Sequence, residues 1–156
     1  MWTRRQLLVG AGAAGLLVAL GGARVAMRPT MLRTPGRPLL ALDVASFSVL
    51  AAAAEVICPA VPGAPGPTEL GVAEDVDAFL ATCDPSVVDE VIQALAFVEN
   101  ALPALVLDGE MRLAFSACSL DDRARAFAAF RSSRIPLRRT VYKALLGLVG
   151  ATYFGN

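Results

Sequence analysis

The chain has no histidine. That removes the side chain most often used for proton transfer near neutral pH and the commonest nitrogen ligand for transition metals. Cysteine is scarce: Cys58, Cys83 and Cys118 are too dispersed for a C-x-x-C site or a metal cluster. In an oxidising compartment one bridge with one leftover thiol is arithmetically open, and the apolar, helix-like setting of each cysteine equally suits buried thiols. Charge of one sign is missing over long stretches. Residues 1–37 carry six arginines and no acid, residues 39–110 carry twelve acids and no base, and residues 112–143 carry eight bases against Asp121 and Asp122. Such separation either fastens the halves of one small domain together or steers a partner. That partner is not a nucleic acid, because the acidic half repels a polyanion and the basic half has no recognition motif.

What is present begins with an address. Arg4 and Arg5 precede residues 7–23, a run of seventeen residues without charge that is rich in Gly, Ala, Leu and Val. This is the layout of an export signal, slightly short for a bilayer span and weakened as a helix by its glycines. The adjacent pair in "TRRQLL", with Leu7 and Leu8 after it, resembles the twin-arginine signal that sends folded proteins across a membrane. Arg24, Arg28, Arg33 and Arg37 follow the run and outnumber the arginines before it, which opposes the ordinary positive-inside orientation. Another export signal, an uncleaved anchor and a buried helix therefore stay as competing readings. The expected division is a signal or anchor over residues 1–27, a basic Pro/Gly connector over 28–38 and a helical domain over 39–156. About 118 residues from position 39 onward allow one core but hardly two.

The domain reads as all-α, a small irregular helical bundle. Asp43 is placed to cap a helix whose face is Phe47, Leu50, Ala54 and Ile57, with Pro59 as its stop. The stretch "PAVPGAPGPTELG" is too rich in turn formers to be helical and forms a long exposed connection. Helical periodicity restarts through Val72, Val76 and either Phe79 or Leu80. It resumes after Asp84 or Ser86 through Val88, Val91, Ile92, Leu95, Val98 and Leu102, with Phe97 off the stripe and Pro103 expected to end or bend the helix. Asp108-Gly109 marks a turn, and Ser119 with Asp122 has the spacing of a helix cap. The last helix starts near Pro136 and is apolar on two adjoining sides, Leu137, Val141, Leu145, Leu148 and Thr152 on one and Tyr142, Leu146, Val149 and Tyr153 on the other. It is either the central helix of the bundle or a helix with one stripe kept for another protein.

No catalytic constellation emerges from these spacings. Glu74, Asp75 and Asp77 read as the solvated first turn of a helix, and Cys58 and Cys83 have no activating base nearby. Gly10-x-Gly12-x-x-Gly15 spells a dinucleotide fingerprint, but no strand precedes it and no βαβ unit follows. Arg138, Arg139, Tyr142 and Lys143 form two neighbouring stripes on the last helix, able to meet an acidic partner or the acidic half of the same chain.

The order of features carries a resemblance. A twin-arginine leader, "AAAAEVICPAVPGAPG", "ELGVAEDVDAFLA" and the terminal "LRRTVYKALLGLVGATYFGN" together resemble the gluconate 2-dehydrogenase subunit 3 family, small subunits of membrane-associated FAD-dependent dehydrogenases. The resemblance implies a non-catalytic accessory subunit with no cofactor of its own. Its partner would be a large flavoprotein of the glucose-methanol-choline type carrying FAD, in that family often joined by a c-type cytochrome subunit. The small subunit would support maturation and folded co-export of the large one, meeting the twin-arginine translocon transiently through Arg4, Arg5, Leu7 and Leu8. The chain would end in the periplasm or on the outer face of the cytoplasmic membrane. Residues placed for the partner are Pro59, Pro62, Pro65, Pro67 and Leu70 in the loop and Arg138, Arg139, Tyr142, Tyr153 and Phe154 in the last helix. The alternatives are an exported helical binding or scaffold protein of another complex and, behind it, an independent enzyme.

Overall fold

The computed structural model describes residues 30–106 and 114–155, with residues 101–106 described by their backbone. Arg4, Arg5, Leu7, Leu8 and the Asp108-Gly109 turn lie outside these residues. Among the described residues there are five helices, one 3₁₀ turn and no strand. They are α1 (Val44–Ile57), α2 (Val72–Leu80), α3 (Pro85–Val106), the 3₁₀ turn (Phe115–Ala117), α4 (Leu120–Arg131) and α5 (Pro136–Tyr153). None of these helices is long and apolar enough to cross a membrane.

Local chemistry sets the helix ends. Asp43 Oδ1 accepts the Ser46 amide at 2.6 Å, and α1 stops at Cys58 because the proline that follows disfavours helical backbone there. Gly71 opens α2 with φ 67°, a left-handed conformation that a side chain would strain. Asp84 Oδ1 accepts the Ser86 amide at 2.9 Å before α3. Ser119 Oγ accepts the Asp122 amide at 3.2 Å and donates to Asp122 Oδ2 at 2.8 Å, so the acid returns to the serine hydroxyl instead of its amide. Pro136 sits in the first turn of α5, where its missing N–H costs nothing. Of the two outcomes expected at Pro103, an end or a bend, the helix does not end there: α3 continues to Val106.

The central helix is α1, which packs against every other element. Nine consecutive residues, Ser46 to Ala54, are buried, so α1 is enclosed all round instead of along one stripe. Its alanines permit this, because a side chain of one methyl lets several neighbouring backbones approach. The last helix is therefore not the centre: α5 lies outside it, burying Val141, Leu145 and Val149 while Leu146 is exposed. From α2, Val72, Val76 and Leu80 enter the core, and Phe79 faces solvent. Aromatic contacts close the other side: Phe115 packs on Phe127 at 5.5 Å, Phe127 on Tyr142 at 5.8 Å, and Phe97 on Phe130 at 5.7 Å between ring centres.

Among the described residues no disulfide forms. Cys118 is buried and its thiol donates to the Ala114 carbonyl at 3.2 Å. Burial pushes the Cys58 thiol pKa up, as suits a structural thiol.

Candidate functional site

The basic connector is not a free tether from residue 30 onward. It runs over α1 and α2 as an arm held by bonds to three elements, the 3₁₀ turn, α1 and α2. The Met31 amide donates to Ser116 Oγ at 2.8 Å and the Arg33 amide to Ser48 Oγ at 2.8 Å. Further along, Gly36 donates to Glu74 at 3.0 Å, and Arg37 pairs with Asp75. Nearest to α1, the amides of Leu40, Ala41 and Leu42 all donate to the Asp77 carboxylate, at 2.6, 3.1 and 2.7 Å. Asp77 is 2 % exposed. It is thus not part of a solvated first turn: three backbone donors compensate its burial.

Glu55 is the sole charged residue of α1 and the point where the segregated charges meet. Arg33 from the arm grips it with two bonds, at 2.6 and 2.9 Å, and Arg123 from α4 reaches its second oxygen at 2.7 Å. The same Arg123 nitrogen also donates to the Ala52 carbonyl at 3.0 Å. Burial by itself would push the Glu55 carboxyl up, but the hydrogen bonds from Arg33 and Arg123 outweigh it and hold the carboxyl down at about 2. One acid of the acidic stretch therefore binds one arginine from each basic stretch, the internal neutralisation that the charge pattern allowed.

The residues placed for a partner divide into two groups. At one end Tyr153 donates its hydroxyl to the Pro65 carbonyl at 3.3 Å, which joins the proline-rich loop to the end of α5. Phe154 lies edge-on to Tyr153 at 5.2 Å and is 83 % exposed. Pro59, Pro62 and Pro65 are exposed. Pro67 is buried and lines a cleft of about 70 Å³ with Arg33, Thr68 and Ala73, while Leu70 is half-buried against the core. Arg138, Arg139 and Tyr142 sit near the other end of α5, Arg138 about 22 Å from Tyr153 along the axis at 1.5 Å per residue. They are engaged within the domain: Arg138 lies over the Phe130 ring at 5.9 Å, Arg139 donates to the Ser133 carbonyl, and Tyr142 packs edge-on to Phe127. The loop and the end of α5 form one surface, and the Arg138 cluster does not belong to it.

Sequence reasoning missed Arg33, Glu55, Asp77 and Arg123. A signal existed for Glu55, a lone acid in a helix otherwise free of charge. Nothing in the spacing paired it with arginines 22 and 68 positions away. No protein-family model, curated protein or solved structure matches the chain.

Proposed function

We propose that this chain is a non-catalytic accessory subunit that binds a larger folded partner through its helical domain and accompanies it through export. The observation that carries the reading is the end of α5. Phe154 stands almost fully in solvent beside Tyr153, and the Tyr153 to Pro65 bond sets this pair against an exposed, proline-rich loop. An exposed large aromatic at the end of a packed helix is the kind of anchor that protein interfaces bury. The arm adds to this by giving the segment before residue 30 a defined starting place on the domain.

The partner class comes from the family resemblance: a large FAD-dependent dehydrogenase of the glucose-methanol-choline type, with the flavin held by that subunit. A folded-protein route suits such a partner, because a flavin loaded in the cytoplasm can travel only with a completed fold. Arg4 and Arg5 would present the pair to the translocon. The test is cell fractionation after replacing Arg4 and Arg5 with Lys. Both subunits are expected to stay in the cytoplasm, and unchanged localisation of both would refute shared export.

A further inference from the structure

The arm over residues 30–42 is held in two different ways. Its inner part, residues 40–42, donates three amides to the buried Asp77 carboxylate, Leu42 is 6 % exposed, and Leu39 and Ala41 pack against the core. Lifting it would leave a buried carboxylate without its donors, a strongly unfavourable state. The outer part, residues 30–37, is different. Met31 and Leu32 are 59 % and 63 % exposed, so little apolar surface holds it.

Three of the groups that receive the outer arm keep a second partner inside the domain. Glu55 holds Arg123 as well as Arg33. Ser116 Oγ accepts the Met31 amide while donating to Glu99 at 2.7 Å. Ser48 Oγ accepts the Arg33 amide while donating to the Val44 carbonyl at 2.6 Å. When the outer arm leaves, Glu55 stays paired, both hydroxyls keep their donor bonds, and water replaces the lost amides. The Arg37 to Asp75 pair is exposed and therefore weak.

We propose that residues 30–37 are a releasable strap that opens as a unit about Pro38 while residues 40–42 remain clamped on Asp77. Pro38 lies exposed between the two parts and has no amide to lose. Opening frees eight residues, which extends the reach of the preceding basic segment by at most about 26 Å at roughly 3.3 Å per residue. The domain itself does not move. The value of that reach for export rests on the accessory-subunit reading; the strap does not.

The test is residue-resolved amide hydrogen exchange on the full chain. The amides of Met31, Arg33 and Gly36 are expected to exchange about tenfold or more faster than those of Leu40, Ala41 and Leu42, reflecting local opening below the global level. Arg33→Gln should speed the outer set further and leave the inner set unchanged. Equal protection of the two sets in the unmodified chain, or equal acceleration of both by Arg33→Gln, overturns the strap. The comparison in the unmodified chain decides the matter if Arg33→Gln does not fold. Failed co-export with the two-tier exchange intact would count against the accessory reading alone.

Discussion

Arg123 and Glu55 are 68 residues apart in the chain and 2.7 Å apart in the fold, and Arg33 occupies the other side of the same carboxylate. The contact locks α4 onto the central helix and draws the N-terminal arm to the same point. Arg123→Met should destabilise the domain by about 1–3 kcal/mol, because the Ala52 carbonyl and one Glu55 oxygen lose a charged donor. Among the described residues Arg123 Nε is buried without an acceptor, which offsets part of that loss. Arg33→Gln should cost less, since Glu55 keeps Arg123. The double variant should cost more than the sum of the two, because Glu55 then has neither arginine. Urea unfolding of the four proteins measures each value and the coupling.

The same carboxylate sets an acid limit. Its pKa in the folded chain is held at about 2, below its ordinary 4.5, so the unfolded chain takes up the proton first as pH falls. The stability it contributes is fully present above the ordinary value and drains away as pH falls from there to about 2. Glu55→Gln should therefore lower the urea midpoint at neutral pH, and its difference from the parent should shrink across that acid interval. A difference that stays constant with pH would show that the arginine contacts do not hold the charge.

A third expectation separates stability from binding at the end of α5. Phe154→Ser should change stability by less than about 0.5 kcal/mol, because the ring is mostly in solvent. It should nevertheless weaken the partner complex by about 2 kcal/mol, the loss typical of an aromatic anchor. Tyr153→Phe removes the bond to Pro65 and should cost about 0.5 kcal/mol of stability, at the low end for an exposed bond. Thermal melts and a binding titration against the isolated partner read the two effects separately.

The small residues of α1 are a packing requirement. Ala52 and Ala53 are both fully buried, and Ala52→Leu should destabilise by about 1–3 kcal/mol through overpacking. A surface alanine of α4 such as Ala124 should accept leucine with almost no change in urea midpoint.

Much of this architecture was legible in the sequence because it is local. Asp43, Ser119 and Pro136 announce helix starts through chemistry that acts within three or four residues, and Val72 and Val76 show the face of α2 by period, which left Phe79 and Leu80 as alternatives until Leu80 proved the buried one. The identity of the central helix was not legible. Alanine scores as weakly apolar, so an alanine run looks like an ordinary surface helix until its neighbours are known. Asp77 misled for a related reason. Beside Glu74 and Asp75 it looks like one of a solvated trio, and only the amides of Leu40, Ala41 and Leu42 make its burial tolerable. The grouping of the residues placed for a partner was legible only in part. The loop and Tyr153 do meet, but Arg138, Arg139 and Tyr142 share a helix with Tyr153 and not a surface with it, because 11 to 15 residues of helix carry them about 16 to 22 Å away.

Partnership with a larger folded protein is the claim on which the functional account stands. Its most direct measurement is purification of the full chain from its native host under mild conditions, with mass spectrometry and absorbance of whatever accompanies it. A stoichiometric large polypeptide with a flavin spectrum, reduced in yield by Phe154→Ser, is the predicted result. Recovery of this chain alone from the exported fraction, as a stable monomer, would contradict it.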